Sequence, residues 1–377
     1  MGLLDLFSAA KRQPAECLVS LDNVEIEELY PLLLEVVVET DRKQWTTATL
    51  VFETRRIEDG SWAVQDDDRF RPWVPVRIEA RFGDETEEVM RGYVREVRSE
   101  YPADSGGARV TLTCQDDSLK LDRLHVEQRW GEDSPITDAQ IAAQIAQRNG
   151  LSLTVPPSEG QTVQDLNQNG TDVRFLQRRA QANGFEIIMR EGGLYFGEMR
   201  LDAEPQSNIM VYAGPDSNCI SFNLQDDGHL PDRVAYQVAA EQGAESPPVE
   251  VSPNLTLMGT EPADSTDSGL DSFVWRPQRH GVSDDGQMNA IAQQAANEAS
   301  MKIRVEGELD ASLYGHVLRV GEPVGVDGVG ERYSGIYYVD SATHRFDANG
   351  YRVDFRLLRN AYGDNLASAD NPLAGVL

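Results

Sequence analysis

The chain contains five histidines, and their spacing tests whether a metal or catalytic site can be expected. They are His125, His229, His280, His316 and His344. None of them stands in an HxxxH or HExxH arrangement, the spacing that places two zinc ligands on one face of a helix. His344 follows a strand pattern, and we expect a hydrogen-bonded residue at a strand end rather than a catalytic base. The histidines therefore predict no metal site.

Acidic residues are abundant and could serve a hydrolase or a calcium site. They cluster at Asp66-Asp67-Asp68, Asp116-Asp117, Asp226-Asp227 and Asp284-Asp285. A glycoside hydrolase needs two carboxylates on opposite sides of a sugar, but among 63 acidic residues chance alone supplies many such pairs. The clusters also lack the Asp-x-Asp-x-Asp-Gly spacing of a calcium loop. We therefore expect these carboxylates to lie in solvated turns.

Motifs for a nucleophile or a bound phosphate are missing as well. The three cysteines, Cys17, Cys114 and Cys219, lie far apart, and Cys114 sits in an alternating strand pattern that favours a buried residue. No Gly-x-Ser-x-Gly elbow occurs, and the glycine-rich residues 325–330 precede no helix pattern, which favours a turn. The sequence therefore predicts no enzyme, with no catalytic, cofactor-binding or metal-ligating residue and no cofactor.

The elements that would position functional residues begin with strands in residues 15–125. Residues 76–82 alternate apolar and charged side chains with a period of two, the pattern of a strand with one buried face. Residues 110–114 alternate in the same way, and residues 32–38 and 48–52 are rich in β-branched side chains. Short strands with turns at this spacing predict a barrel or a sandwich, and we assign this region as a first β-barrel.

Residues 126–205 change character and predict a small α+β insert domain. Thr137-Asp138-Ala139-Gln140 is a capping box that opens a helix. A second helix begins near Thr171-Asp172 and ends at Asn183-Gly184. A hairpin turn at Glu191-Gly192-Gly193 then joins two short strands.

Strand patterns return in residues 206–240 and 302–362 and predict a second β-barrel. The intervening residues 241–301 form an insert that combines a long polar loop with an Ala-rich helix near residues 285–301. The remaining residues form two tails, 1–14 and 363–377. The expected fold class is therefore mainly β with an α+β insert.

The two β-rich regions share an order of landmarks. The first reads Pro75-Val76-x-Ile78, Gly92-Tyr93-Val94-x-x-Val97 and Arg109-Val110-x-Leu112. The second reads Pro323-Val324-x-Val326, Gly335-x-x-Tyr338-Val339-x-x-Ala342 and Arg352-Val353-x-Phe355. This agreement over three successive strands indicates a duplicated β unit with one copy near each end of the chain. Any two meanders share some likeness, so chance similarity is the competing interpretation.

Length and charge limit the functions that the chain can have. Its 377 residues suggest two or three domains, and 34 basic against 63 acidic residues leave a net charge of −29. Phosphate contacts need a basic surface, so this charge argues against nucleic-acid recognition and against binding to anionic membranes. No apolar run is long enough to span a membrane, and the first residues make a poor signal peptide. Solubility or a saline habitat would explain the charge.

Two stretches of the sequence resemble a known family. Thr171–Ala180, Asn183-Gly184-Phe185 and Gly193–Gly197 are similar to the helix and hairpin of the phage late control D family, the tail hub proteins of contractile phages. The N-terminal hub part of the type VI secretion spike protein VgrG shares this pattern. The closing series Gly335–Val339, His344, Gly350–Phe355 and Leu358-Arg359-Asn360 also resembles the end of such hub proteins. The resemblance spans roughly residues 15–362.

The resemblance implies a homotrimeric baseplate hub in a phage tail or a phage-derived extracellular injection system. Its two β-barrels would form a pseudo-sixfold ring, which templates the hexameric inner tube protein above and docks a spike below. Because the chain ends near residue 377, we expect the spike to be a separate protein. Other baseplate proteins, and a tape measure or cargo, are further implied partners. Such a protein is made in the cytoplasm and becomes part of a virion tail or contractile particle.

Two alternatives from other functional classes stay open. A carbohydrate-binding or adhesive tail protein would be expected to show aromatic clusters, whereas the five tryptophans are scattered along the sequence. A hub-associated cell-wall hydrolase would need an acid and a nucleophile, and no such pair stands out. For the hub itself, an acidic lumen that repels DNA or acidic cargo is a hypothesis that would give the net charge a purpose.

Overall fold

The computed structural model describes residues 15–102, 107–154, 158–237, 247–264, 269–277 and 285–366. The predicted tail 1–14, most of the tail 363–377, His280, Asp284 and parts of the predicted loop 241–272 lie outside these residues. The strands are β1 (Ala15–Leu21), β2 (Val24–Glu25), β3 (Leu33–Asp41), β4 (Thr47–Thr54), β5 (Pro75–Phe82), β6 (Glu85–Glu100), β7 (Ala108–Asp116), β8 (His125–Trp130), β9 (Ile136–Thr137), β10 (Ser152–Thr154), β11 (Thr162–Val163), β12 (Leu166–Thr171), β13 (Glu186–Arg190), β14 (Gly193–Gly197), β15 (Gln206–Met210), β16 (Cys219–Asp226), β17 (Arg233–Tyr236), β18 (Val249–Val251), β19 (Glu261–Pro262), β20 (Val274–Trp275), β21 (Ile303–Asp310), β22 (Pro323–Asp327), β23 (Gly335–Asp347), β24 (Gly350–Arg359) and β25 (Ala361–Tyr362). The helices are α1 (Ser118–Leu121), α2 (Asp138–Arg148), α3 (Asp172–Asn183), α4 (Asp285–Ser300) and α5 (Ala311–Tyr314), with 3₁₀ turns at Glu27–Leu32 and Gly214–Asp216.

A sheet of 13 strands dominates the molecule and confirms the mainly β class. Its strands follow the order β16-β21-β24-β23-β3-β4-β7-β6-β5-β1-β2, and β22 connects β15 to β23. Strands from both predicted β regions therefore lie in one sheet, and the antiparallel pair β3–β23 joins them. The division of the sheet into two separate barrels stays a prediction.

Alternating apolar side chains from both regions fill a shared core. Val36 and Val38 of β3, Leu112 of β7, and Val353 and Leu357 of β24 are all within 1 % of complete burial. The even spacing within β3 and within β24 places the residues of each strand on one face of the sheet, as the strand patterns predict. Burial of one such side chain on folding stabilises the folded protein by about 1.5–3 kcal/mol.

Two groups of five strands repeat the same pairing. The first group has the order β3-β4-β7-β6-β5, and the second has the order β16-β21-β24-β23-β22. Pro75 pairs with Tyr93 in the first, and Pro323 pairs with Tyr338 in the second. We call these groups the first and the second unit. The landmarks that the sequence analysis aligned thus occupy matching positions in the ladder.

Irregularities in the ladders also recur at matching positions. The register shifts after Val94 in β6 and after Val339 in β23. It shifts again after Leu33 in β3 and after Cys219 in β16. Because a bulge bends and twists its strand locally, shared bulges give the two units a similar curvature.

The strand entry before each meander matches as well. Trp73 has a φ of 74° and donates its backbone N–H to the Val94 carbonyl at 2.7 Å. Gly321 has the same φ of 74° and donates to the Val339 carbonyl at 3.0 Å. A positive φ is uncommon for a tryptophan and costs about 1–3 kcal/mol, so its presence at the position of a glycine reflects a shared backbone path.

The predicted α+β elements form a separate core next to the sheet. Thr137 and Gln140 make the capping box at the start of α2, as the sequence predicts. Thr171 precedes α3 without a side-chain cap, and the Asp172 carboxylate accepts a hydrogen bond from Arg148 Nε at 2.9 Å. Glu191 and Gly192 form the two-residue turn between β13 and β14. Their φ values of 51° and 74° suit a tight hairpin.

The Ala-rich helix is confirmed as α4, and it packs on β17 and β18, two strands of a separate three-stranded sheet. Met288 and Ala292 of the helix lie against Val234, Tyr236 and Val251. Small alanine side chains allow the helix to approach the strands closely, which accounts for the alanine-rich face that the sequence shows. The described parts of the predicted polar loop include β18 and β19 rather than only irregular chain.

Candidate functional site: the strand edges of the two units

The joint between the two units is a six-residue antiparallel pairing. Ser341 to Phe346 of β23 lie opposite Asp41 to Val36 of β3. Thr40 Oγ1 adds a hydrogen bond to the carbonyl of Ala342 at 2.9 Å. This pairing covers the second half of β23, whose first half is covered by β22. Ala342, His344 and Phe346 are consequently buried.

The corresponding positions of the first unit are open. β5 covers β6 only as far as Tyr93, so one side of residues 95–100 carries no strand within the described ranges. β16 begins the strand order and, among the strands of the described residues, pairs only with β21. We call these two sides, residues 95–100 of β6 and residues 221–226 of β16, the open edges. Unpaired backbone N–H and C=O groups along such edges can accept a further strand.

Each unit also exposes an apolar residue at its first bulge. Leu34 is the bulged residue of β3 and is 40 % exposed, and Ile220 holds the same position in β16 and is 49 % exposed. Single exposed apolar residues are common on protein surfaces. The recurrence of one at the same structural position in both units makes this pair a candidate contact surface.

A buried cluster of charges lies beside the joint. Arg42, directly after β3, is 4 % exposed and binds Asp340 of β23, Glu186 of β13 and Glu298 of α4. Its Nη2 lies 3.1 Å from both Glu298 oxygens, and its Nη1 lies 3.4 Å from Glu186. Tyr338 donates its hydroxyl to Glu186 at 2.6 Å. The cluster therefore ties both units, the α+β elements and α4 together.

The protonation of this cluster follows from burial and pairing. Burial raises the pKa of Glu186, and the neighbouring charge of Arg42 limits the rise. Burial would raise the pKa of Glu298 too, but the charges of Arg42 and Lys43 lower it below its ordinary value. Both carboxylates line a cleft between α3 and α4, and both are engaged in ion pairs. Their arrangement is that of a structural network.

The histidines described by the structure occupy separate places. His125 is exposed, His229 stacks on Phe273, and His316 Nδ1 lies 2.7 Å from Glu87. His344 lies inside β23 rather than at a strand end, because β23 continues to Asp347. Its Nδ1 lies 2.9 Å from the Tyr351 hydroxyl, and burial lowers its pKa to about 4. Within the described ranges, no group of three or more His, Cys, Asp or Glu could hold a metal ion.

The remaining candidate nucleophiles and acids have structural surroundings. Burial raises the pKa of each thiol, Cys17, Cys114 and Cys219, to about 12, which leaves little thiolate at neutral pH. Asp116 is buried rather than solvated, which corrects the prediction for this cluster. Its side chain accepts backbone hydrogen bonds from Thr46 at 2.9 Å and Ser118 at 3.0 Å, and burial raises its pKa to about 6.

The Arg359-Asn360 pair, part of the hub-like series, holds the insert against the sheet. Arg359 is fully buried and donates to the carbonyls of Met258 and Tyr333, both at 2.9 Å. Asn360 donates to the Thr256 carbonyl and accepts from the Met258 N–H, both at 2.9 Å. Sequence reasoning missed the open edges and the Arg42 cluster, although the repeated landmarks include β6, which carries one of the two edges.

A family model described as the Alg8 N-terminal domain matches residues 12–347, and the chain belongs to this family. The description names a domain and states no reaction. No curated protein matches the sequence significantly. Among the described residues, no helix is long and apolar enough to cross a membrane.

Solved structures with this fold come from phage tails and secretion systems. The 43 kDa tail protein of prophage MuSo2 from Shewanella oneidensis has a TM-score of 0.67 at 12 % identity, covering 92 % of this chain and 98 % of that one. The E. coli c3393 protein, a type VI secretion component with structural similarity to the T4 tail proteins gp27 and gp5, has a TM-score of 0.54 at 11 % identity, covering 93 % and 79 %. A chain of the Francisella PdpA-VgrG complex has a TM-score of 0.55 at 9 % identity, covering 97 % and 62 %. At these identities the likeness shows a shared fold.

Proposed function

We propose that this chain is the structural baseplate hub of a contractile injection machine, either a phage tail or a phage-derived extracellular injection system. The observation that carries the proposal is the repeated five-strand unit, with its matching bulges, in a chain with a tail-protein fold. We interpret this repetition as a duplication. The two units correspond to the β-barrels predicted for residues 15–125 and for 206–240 with 302–362.

A duplicated chain solves a symmetry problem that a hub faces. A threefold particle axis and a hexameric tube match if each of three chains presents two similar surfaces. The proposed hub is therefore a homotrimer with pseudo-sixfold symmetry. It offers six similar positions to the first ring of the inner tube protein, and its other face docks a spike.

The proposal extends to partners and relatives. The proposed partners are the inner tube protein, a separate spike protein and other baseplate proteins. A tape measure protein or a cargo would be a further contact. The relation to the phage late control D family rests on the helix and hairpin of residues 171–197 and on the closing series at residues 335–360. The protein would act inside a virion tail or an equivalent contractile particle.

The proposed role is structural rather than enzymatic. The carboxylates of Glu186, Glu298 and Asp340 are paired with Arg42 instead of facing a substrate, and Glu186 is buried while the other two are partly exposed. The compared structures are described as tail or secretion-system components. Hub function accordingly comes from surfaces that repeat around an axis.

The mass of the assembled protein tests this proposal. Native mass spectrometry of the full chain, alone and with the inner tube protein of the same particle, should give three copies of the chain in the assembled species. A chain that stays monomeric under both conditions, or that forms only dimers, would contradict the hub.

A further inference from the structure

We propose that the two open edges pair with each other between neighbouring copies of this chain. In this arrangement residues 95–100 of β6 in one copy lie antiparallel to residues 221–226 of β16 in the next. The inference rests on the proposed trimer and names the surfaces that close it. The partner is therefore a second copy of the same chain.

The internal joint supplies the register. Val110 and Val353 are matching landmarks of the two units. Ser99 pairs with Val110 and His344 pairs with Val353, so Ser99 is the counterpart of His344. Leu224 pairs with Val305 as Val38 pairs with Ala48, so Leu224 is the counterpart of Val38.

His344 lies opposite Val38 in the internal joint. Ser99 should consequently lie opposite Leu224, with Arg98 opposite Gln225 and Tyr101 opposite Phe222. A single register is specified, because a slip by one residue would turn every side chain to the other face.

Apolar side chains along the open edges are less buried than their counterparts in the joint. Val97, Phe222 and Leu224 are only partly buried against the main core. Their counterparts Ala342, Val36 and Val38 are within 1 % of complete burial, because the joint covers them. Tyr101 is 57 % exposed, whereas its counterpart Phe346 is 7 % exposed. Pairing of the edges would bury this row of side chains in the same way.

The chemistry of the edges is compatible with pairing. Ser221-Phe222-Asn223-Leu224-Gln225 carries no charge, although open edges are commonly protected by charged residues or proline. In the proposed register Glu96 faces Asp227, a like-charged pair that is unfavourable at this end of the joint. An aromatic pair of Tyr101 with Phe222 would add a favourable cross-strand contact.

The ring can close if the joint inside each chain and the joint between neighbouring chains have the same register. If both joints relate neighbouring units by the same rotation, three chains repeat one joint six times and return to the start. The sheet then has no open edge at these positions, which removes a site of uncontrolled strand addition.

A cysteine pair tests the proposed register. The variant combines Arg98→Cys with Gln225→Cys in a Cys219→Ser background. The two introduced cysteines replace exposed residues, whereas Cys219, which is partly buried against the main core, is exchanged for a side chain of similar size. Under mild oxidation this variant should form disulfide-linked dimers and trimers that reduction reverses, with most of the protein cross-linked. As a matched internal control, Glu39→Cys with Thr343→Cys occupies the counterpart positions of the joint and should oxidise within one chain. A shifted pair, Arg98→Cys with Ser221→Cys, should stay largely reduced, because its positions would lie four residues out of register.

The outcomes separate this inference from the hub proposal when the mass of the uncross-linked variant is measured in parallel. A trimer whose Arg98→Cys/Gln225→Cys pair stays reduced, while the internal control oxidises, overturns the edge pairing and leaves the hub standing. A monomer without cross-links contradicts both. Cross-linked species larger than a trimer would support the pairing of the edges but contradict the closed threefold ring.

Discussion

Arg42 links four parts of the molecule at the scale of a single residue. Its guanidinium is buried among Glu186, Glu298 and Asp340, and its chain position follows β3 directly. Removing one partner of a buried ion pair leaves the other charges uncompensated, which is commonly much more costly than losing an exposed pair.

Replacing Arg42 should therefore destabilise the fold severely. We expect Arg42→Met to lower the free energy of unfolding by about 3–5 kcal/mol, as measured by urea denaturation at pH 7. The matched control is Arg352→Met, since Arg352 pairs with Glu308 at 3.0 Å while both side chains are partly exposed. This control should cost at most about 1 kcal/mol. Equal losses for the two variants would contradict a structural role for the cluster.

His344 should make stability depend on pH in the acidic range. Its pKa is lowered to about 4 by burial, so the unfolded chain binds the proton more readily than the folded chain. Stability contributed by the neutral ring is therefore present above about pH 6.5 and is lost as the pH falls from there to about 4. We expect the wild type to lose about 3 kcal/mol more than His344→Asn between pH 7 and pH 4. If the free energy of unfolding of the two proteins fell by the same amount between pH 7 and pH 4, the lowered pKa of His344 would be refuted.

At the scale of elements, the bulged residues Leu34 and Ile220 offer repeated apolar contacts. A trimer would carry six of them at similar positions, which suits a hexameric ring. The double variant Leu34→Ser with Ile220→Ser should keep the mass of the hub and bind the inner tube protein at least about tenfold more weakly. Ile291→Ser is the control, because Ile291 is 37 % exposed on α4 outside both units. Equal binding by the double variant and this control would exclude the bulges as contacts.

Elements defined by neighbouring residues could be predicted from the sequence. The capping box of α2, the end of α3 at Gly184 and the hairpin at Glu191-Gly192 all depend on local side-chain or backbone preferences. The strand landmarks also depend on local preferences, and they predicted the matching three-strand meanders of the two units. Local preference also misplaced His344 at a strand end, because pairing with β3 and β24 extends β23 beyond it.

The candidate site could be predicted only in part, since it depends on contacts between distant residues. Pairing of β3 with β23 brings together positions about 300 residues apart, and no local pattern specifies that partner. Arg42 meets Glu186, Glu298 and Asp340 only after these elements have packed. A sequence with 63 acidic residues gives no signal for which of them will pair with Arg42.

At the scale of the whole molecule, the account rests on repetition. One sheet contains two units that share the same strand pairing, two bulges and the backbone path at the entry to the meander. One joint inside the chain is matched by two open edges. The net charge of −29 is then carried three times by the proposed ring.

A cryo-microscopy map of the hub bound to the first inner-tube ring tests the central claim most directly. The account predicts three copies of the chain around the axis, six similar five-strand units in one continuous ring, and a six-subunit tube ring above it. A ring built from six copies of the chain, or three copies whose two units contact the tube in unrelated ways, would contradict it.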